Sequence, residues 1–337
     1  MIRRSEKEAF LLSGLKWNGA VSNTVDKIRD IKEEVNKVII GKEDVVEKVL
    51  MAMLARGHIL LEDMPGVGKT TLALAFSKAM GLHFNRIQFT PDVVPSDITG
   101  FSMYNRQSGQ FEYKFGAAMC NLFLADEINR TSSKTQSALL EVMQEGSITV
   151  DGETRKVPQP FIVIATQNPL GAAGTQSLPE AQLDRFMLQL SMGYPDTQAQ
   201  IELLLDRQQK NPLDNISPVA TVEDVLQMQH ETEHLYIDRK IVEYITALTE
   251  ASRSHELVRL GVSPRGALAL CAMAKASAYV RQRDYVVLED VKDVFADVCR
   301  HRLILEPKAR LGEVTPDGIL CQILEAVPCP KLTGDER

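Results

Sequence analysis

A glycine-containing loop between an apolar strand and a helix constrains this 337-residue chain more than any other feature. The segment HILLEDMPGVGKTTLA predicts a buried strand, a tight loop and a helix that begins at a Lys-Thr pair. In such a unit the loop N–H groups and the helix N-terminus point at a bound phosphate. Gly66 and Gly68 let the backbone approach the phosphates closely. Lys69 is predicted to reach the β- and γ-phosphates, and Thr70 to ligate Mg²⁺.

The loop departs at one position from the general pattern G-x-x-x-x-G-K-[ST], because Asp63 stands at its first position. A dinucleotide-binding G-x-G-x-x-G pattern is excluded, because its third glycine position is Thr71. The strand–loop–helix context favours ATP binding over a chance glycine turn. The residues of this loop predicted to bind nucleotide are Asp63, Met64, Pro65, Gly66, Val67, Gly68, Lys69, Thr70 and Thr71.

Apolar strands alternate with helices on both sides of this loop. The segments HILLED, RIQFT, NLFLADE and PFIVIATQN predict strands, and TTLALAFSKAM and SKTQSALLEVMQEG predict helices. This alternation is typical of an α/β fold with a parallel sheet covered on both faces. Two segments that alternate around Ser108-Gly109 and Asp151-Gly152 predict β-hairpins inserted into that core.

The second part of the chain changes to amphipathic helices, such as the one with Val242, Ile245 and Leu248 at helical spacing. The turn-rich stretch QKNPLDNISP marks the change. At ~100–200 residues per domain, the length suits two domains. We predict a loosely ordered extension over residues 1–22, an α/β nucleotide-binding core over 23–200 and a helical lid over 201–337. The core is predicted to begin with a helix from about residue 22 to about residue 38.

Two predicted strands end in polar side chains that suit nucleotide hydrolysis. NLFLADEINR leads to Asp126, predicted to hold the Mg²⁺ shell, and to Glu127, predicted to polarise the attacking water. PFIVIATQN ends at Asn168. An asparagine at a strand end is usually a turn former, but its place beside the other strand ends favours contact with the water or the γ-phosphate.

Together these features resemble the AAA+ ATPases, with Walker A around Lys69, Walker B at Asp126 and Glu127, and sensor 1 at Asn168. Within that group the chain closely resembles the MoxR family, in the phrases LLEDMPGVGKT, LADEINR, ATQNP, LPEAQLDRF and GVSPRGALAL. That family also carries Asp at the Asp63 position and has two insertions that match the predicted hairpins. The resemblance spans about residues 25–305. It implies an α/β P-loop AAA+ parallel-sheet core with two β-hairpin insertions, followed by a smaller all-α lid domain.

The resemblance also implies roles for residues that the pattern alone would not single out. Arg185 in LPEAQLDRF is similar to the arginine finger that reaches a neighbouring subunit's γ-phosphate, and Arg265 in SPRG is similar to sensor 2. Ile40 and Gly41 are similar to the adenine-side edge of the pocket. Without the resemblance, both arginines would be assigned to surface ion pairs. An arginine finger implies a homo-oligomeric ring, expected to be a hexamer, in which Arg265 contacts nucleotide in its own subunit or in the neighbour.

Composition bears on partners and location. The net charge is −7, which argues against a broad grip on nucleic acid. The five cysteines are widely spaced without a C-x-x-C pair, as expected of free thiols in a reducing compartment. No stretch approaches the ~18 apolar residues of a membrane span. The N-terminal segment contains Glu6 and Glu8 and lacks a small-residue cleavage site, so we expect no signal peptide and a cytoplasmic location.

One motif supports a different activity. Residues 230–234 read His-Glu-Thr-Glu-His and satisfy the H-E-x-x-H pattern of zinc proteases. The segment falls within the predicted lid, among polar neighbours typical of a solvated helix face. A third ligand would have to be Glu250 or Glu256, and nothing singles out either one. We interpret the motif as a surface match and keep an ATP-dependent zinc protease as the alternative.

Two classes of function remain open. The MoxR resemblance implies remodelling or maturation of protein complexes, acting on a protein client and often with a partner that bears a von Willebrand factor A domain. The alternatives are a nucleic-acid motor, because helicase-like relatives carry the same two hairpins, and a magnesium-chelatase-like motor subunit. The hairpin tips NRQSGQ and VDGETRK are not basic fingers, which favours a protein client over nucleic acid.

Overall fold

The fold is taken from a computed structural model, which describes residues 20–168, 178–206 and 212–330. The extension predicted over residues 1–22 lies outside the described residues as far as residue 19. The helix expected from about residue 22 to 38 is Ala20–Asn36. The core and lid boundaries at 23–200 and 201–337 stay predictions; a single helix, Thr197–Asp206, passes through that junction.

The strands in chain order are β1 (Ile59–Glu62), β2 (Phe84–Gln88), β3 (Gly100–Asn105), β4 (Gln110–Phe115), β5 (Leu122–Asp126), β6 (Ser147–Val150), β7 (Glu153–Lys156), β8 (Ile162–Gln167), β9 (Leu188–Leu190), β10 (Val258–Leu260) and β11 (Ile304–Leu305). Five of them form one sheet in the order β2-β5-β8-β1-β9. All four pairings in this sheet are parallel, so the carboxyl ends of the strands meet at one edge. The predicted parallel sheet is confirmed.

The helices are α1 (Ala20–Asn36), α2 (Glu43–Leu54), α3 (Lys69–Ala79), α4 (Pro95–Thr99), α5 (Ser133–Glu145), α6 (Glu180–Leu183), α7 (Thr197–Asp206), α8 (Val222–His234), α9 (Arg239–Ser254), α10 (Pro264–Val280), α11 (Leu288–Cys299), α12 (Pro307–Leu311) and α13 (Pro316–Ala326). Three 3-10 turns lie at Ile128–Arg130, Pro212–Asn215 and Arg300–Arg302.

Alternate residues of the three central strands, β1, β5 and β8, pack into two different apolar clusters. Leu61, Leu122 and Ile164 face the larger cluster, whereas Phe123 and Val163 face the smaller one. Because both of their faces are buried, these central strands are largely apolar instead of alternating with polar residues. This burial explains why short runs such as NLFLAD predict sheet strands correctly.

The two inserted hairpins are confirmed. β3 pairs antiparallel with β4, and β6 with β7. Asp151 and Gly152 both have positive φ angles, +53° and +79°, which a two-residue turn of this handedness requires. The guanidinium of Arg155 on β7 lies 4.2 Å from the ring centroid of Tyr113 on β4, so the two hairpins contact each other.

The helical lid is also confirmed, and it carries one addition. β10 and β11 form a short antiparallel pair within it. Segments of two and three residues are too short to show the period-2 alternation by which a strand is predicted. Helix α11 contacts β9, which brings the lid against the end strand of the sheet.

Candidate active site

The predicted phosphate loop lies between the end of β1 and the start of α3. Gly66 and Gly68 have φ angles of +87° and +97°, in the left-handed region that favours glycine. Gly68 is the N-cap of α3, and its carbonyl accepts a hydrogen bond from Leu72 N at 2.9 Å. The loop therefore places free N–H groups and the positive end of a helix dipole at the edge of the sheet.

A cavity of about 580 Å³ opens beside this loop. Its volume is in the range of small-molecule and cofactor sites, about 300–1,000 Å³. The structure brings the two strand-end carboxylates and Asn168, the asparagine predicted as sensor 1, to the same cavity. The predicted residues on its wall are Ile40, Pro65, Gly66, Val67, Gly68, Lys69, Thr70, Thr71, Asp126, Glu127 and Asn168.

Lys69 is buried at the foot of the loop. Its ammonium donates hydrogen bonds to the carbonyl oxygens of Asp63 at 2.7 Å and Met64 at 3.1 Å. Burial lowers the pKa of Lys69, while the carboxylates of Asp63, Asp126 and Glu127 act in the opposite direction. A positive charge in this position suits a polyphosphate in the adjoining cavity.

The acidic pair is tied to the sheet by a residue on the neighbouring strand. The Thr166 hydroxyl on β8 donates to Asp126 Oδ1 at 2.6 Å and accepts from Glu127 N at 2.9 Å. Arg86 on β2 donates to Asp126 Oδ2 at 2.7 Å. Glu127 has a φ angle of +57°, and its carboxylate pairs with Arg130 at 2.7 Å. Glu127 is therefore held in backbone strain of the kind that concentrates at functional sites.

Thr166 and Arg86 were not predicted as site residues. Each lies on a strand beside β5, and only the strand order shows that β2 and β8 are the strands that flank it. The sequence itself carried only a weak signal for them, since a threonine two residues before a predicted strand end and an arginine in a short strand are both common.

Three residues predicted to bind nucleotide do not line the cavity wall: Gly41, Asp63 and Met64. The Asp63 carboxylate accepts hydrogen bonds from Met192 N at 2.6 Å, Gly193 N at 3.0 Å and Ser191 Oγ at 2.7 Å. The Asp63 side chain therefore braces the loop against the chain that leaves β9, which explains why a carboxylate replaces the first glycine of the pattern.

Gly41 acts through its lack of a side chain. It has a φ angle of +69°, and a Cβ at this position would lie 2.8 Å from the Cβ of Ala199 on α7. The close approach brings α7 to the cavity, where Leu203 and Leu204 line the wall with Ile40. This apolar side suits a nucleobase, and the adenine edge expected at Ile40 and Gly41 stays a prediction.

The two predicted arginines lie away from this cavity. Arg185 and Arg265 line a second, smaller cleft of about 140 Å³ with His58, Met143 and Gln144. Arg185 Nη1 donates to Leu140 O at 3.3 Å and also contacts the Gln144 side chain. Arg265 is exposed and forms no ion pair with the residues that the structure describes. The structure therefore groups these two cations with each other and not with their own phosphate loop.

His58 beside this cleft predicts a measurable pH dependence of stability. Its Nε2 contacts Met143 O at 3.0 Å, its Nδ1 accepts from Val163 N at 3.1 Å, and burial lowers the pKa of His58 to about 4. The unfolded chain takes up this proton near pH 6.5 and the folded chain only near pH 4, so the stabilisation is complete above pH 6.5 and is lost as the pH falls towards 4. From pH 7 to 5 the unfolding free energy should drop by about 1–2 kcal/mol because of His58.

Urea unfolding of wild type and His58→Gln at pH 7 and pH 5 tests this prediction. An equal drop in unfolding free energy in the two proteins would contradict it.

The H-E-x-x-H motif lies on the exposed side of α8. The rings of His230 and His234 stack with centroids 4.2 Å apart. Across the described ranges, no group of three or more His, Cys, Asp and Glu side chains is placed to hold a metal ion. His234 Nδ1 contacts His230 O at 2.8 Å, a contact within one helical turn.

Comparisons with known proteins identify both parts of the fold. Residues 58–188 match the model of the ATPase family associated with various cellular activities (AAA), and residues 250–322 match the AAA lid domain. Chaperone MoxR1 of Mycobacterium tuberculosis is 39% identical over 89% of this chain and 82% of its own length. YeaC of Bacillus subtilis is 47% identical over 88% and 93% of the two chains.

A solved structure supports the same family and fold. A protein from Cytophaga hutchinsonii, described as a candidate ATPase, superimposes with a TM-score of 0.86 and 37% identity over 92% of this chain and 97% of its own. Within the described ranges, none of the helices combines the length and apolar character needed to cross a bilayer. The identity, its coverage and the two matched domains show that the chain belongs to the MoxR family of AAA+ ATPases.

Proposed function

We propose that this ATPase works as a homo-oligomeric ring, a hexamer, that uses Mg²⁺-ATP to remodel or mature protein complexes. The observation that carries the proposal is the placement of Arg185 and Arg265 together in a cleft apart from their own nucleotide cavity. The cations that do line that cavity already have partners within the subunit: Lys42 with Tyr194 O, Lys69 with loop carbonyls and Arg86 with Asp126. Arg185 and Arg265 are therefore proposed to contact the nucleotide that a neighbouring subunit binds.

The residues in the cavity divide the work of hydrolysis. The Thr70 hydroxyl and the Asp126 carboxylate are oxygen donors of the type that Mg²⁺ prefers, and they line the same wall. Bound Mg²⁺ would neutralise charge that develops on the phosphates. Glu127 orients and polarises the attacking water, and Asn168 contacts that water or the γ-phosphate. Arg185 and Arg265 stabilise the charge on the far side of the γ-phosphate, in the neighbour's cavity.

The hairpin surface supports a protein client over nucleic acid. The hairpins carry four basic residues, of which Arg155 pairs with Glu153 and Lys114 lies 3.5 Å from Glu112, so they present no uniformly basic surface for phosphates. Phe111 and Phe115 on β4 are 74% and 71% exposed. Exposed apolar side chains of this size suit contact with another protein. The name of the Mycobacterium relative, a chaperone, supports the same class of work. We propose a partner with a von Willebrand factor A domain and a cytoplasmic location as parts of this function.

The proposal predicts how activity responds to added macromolecules. Single- and double-stranded DNA and RNA should leave the ATPase rate unchanged, because the few cations on the hairpins are interspersed with acidic residues and form no basic patch. Glu127→Gln in ATP should retain a protein client through affinity purification and nuclease treatment, whereas Lys69→Ala should not. Phe111→Ala should reduce that retention while leaving the ATPase rate intact. A severalfold nucleic-acid stimulation of the ATPase rate, or a captured partner that nuclease removes, would favour the nucleic-acid motor instead.

A further inference from the structure

A buried arginine of the lid forms hydrogen bonds with the segment of the core that carries Arg185. Arg302 lies in the 3-10 turn after α11, and its side chain is only 2% exposed. Its guanidinium donates to Asp184 Oδ1 at 2.8 Å and Asp184 O at 3.2 Å, to Phe186 O at 2.7 Å and to Met187 O at 3.1 Å. The backbone on both sides of Arg185 is therefore fixed by one side chain from the lid.

The same carboxylate reaches the helix that carries Arg265. Ser263 is the N-cap of α10, where its hydroxyl accepts from Gly266 N at 3.1 Å and donates to Asp184 Oδ2 at 2.9 Å. Asp184 thus joins Arg302 to the first turn of α10. Arg265 lies in that turn, one residue before Gly266.

Gly266 makes room for this arrangement. A Cβ at this position would lie 2.7 Å from Arg302 Cδ and 3.0 Å from Arg302 Nε, as well as 2.6 Å from Val262 Cγ1. The residue after Arg265 must therefore lack a side chain for Arg302 to reach Asp184. The SPRG phrase combines a helix cap, the functional arginine and the glycine that admits the lid arginine.

We propose that Arg302 and Asp184 are positioning residues that hold Arg185 and Arg265 as one rigid unit. The Arg185 side chain itself is held by Leu140 O and Gln144 alone among the residues that the structure describes, so its anchored part is the backbone that Arg302 binds. When the lid shifts, the two arginines move together and are offered to, or withdrawn from, the neighbour's γ-phosphate. This inference rests on the proposed function, in which both arginines act in the next subunit.

The first test compares binding with turnover. Arg302→Lys keeps a charge for Asp184 but loses the fork that binds several oxygens at once. Gly266→Ala displaces Arg302 without removing it. Both variants should bind ATP with unchanged affinity, and their kcat should fall roughly 10–100-fold, as expected for a misplaced catalytic group. The matched control is Arg283→Lys, which disturbs another lid ion pair, with the buried Asp290, and should keep its kcat. Equal kcat losses in Arg283→Lys and Arg302→Lys would overturn the inference.

The second test uses mixed rings. In the proposed ring, a subunit with misplaced arginines impairs hydrolysis at the ATP site of its neighbour and not at its own site. Arg302→Lys mixed with Lys69→Ala should regain activity, since Lys69→Ala subunits still offer intact arginines. Arg302→Lys mixed with Arg185→Ala should not, because both variants fail as donors. A gain in the second mixture equal to that in the first would overturn the inference alone. Arg185→Ala with Lys69→Ala serves as reference: if this pair also stays inactive in rings shown to be mixed, the shared site itself is wrong.

Discussion

Lys69→Ala protein should bind no ATP, whereas Glu127→Gln protein should bind ATP and fail to turn it over. Lys69 supplies the buried positive charge of the loop, and its removal leaves a carboxylate-lined cavity without that charge for the phosphates. Glutamine matches the size of Glu127 but cannot accept a proton from water. General-base catalysis contributes about 10²–10⁴-fold, so the kcat of Glu127→Gln should fall by that factor.

The measurements are ATP binding by calorimetry and phosphate release at saturating ATP. Lys78→Ala is the matched control for Lys69, since Lys78 lies on the same helix and its ammonium is bound outside the cavity, by Leu213 O and beside Asp214. Glu141→Gln, on the exposed side of α5, repeats the Glu127 substitution away from the site. Equal turnover in wild type and Glu127→Gln would show that Glu127 does not act on the water.

Arg185→Ala should bind ATP almost normally and hydrolyse it about 10³–10⁵-fold more slowly, the range for loss of an arginine finger. ATP binding should survive the loss of hydrolysis because Arg185 does not line the nucleotide cavity of its own subunit. Arg265→Ala should show the same pattern of retained binding and lost turnover. Arg259→Ala is the control, an exposed arginine 3.8 Å from Glu180 in a weak surface ion pair. A large loss of ATP affinity in Arg185→Ala would instead place Arg185 in the cavity of its own subunit.

The sequence was sufficient to predict an element wherever a residue type or a short pattern has a single common structural use. The strand–loop–helix unit around Gly66 and Gly68, the apolar strands β5 and β8 and the Asp151-Gly152 turn each satisfy a local rule, and the structure confirms each of them. β9 and the β10–β11 pair were missed, since two or three residues show no period. The positive φ angle of Gly41 serves packing against Ala199, a contact that no local pattern reveals.

Local sequence patterns could not predict the residues that make contacts across the sheet or between the core and the lid. Thr166 and Arg86 join Asp126 only because β8 and β2 flank β5. Arg302 and Asp184 lie 118 positions apart, and the lid must fold back on the core before they meet. Arg185 and Arg265 were found through the MoxR resemblance. Their shared cleft required the structure.

Mixing two inactive variants tests the shared site most directly. Arg185→Ala subunits keep an intact cavity, and Lys69→Ala subunits keep an intact pair of arginines. Where a Lys69→Ala subunit offers its arginines to an Arg185→Ala neighbour, one complete site forms. We predict that ATPase activity, absent from each variant alone, appears in the mixture and peaks at intermediate ratios. If each variant is inactive alone and every mixture stays inactive, although mixed rings are shown to form, the site is not shared between subunits.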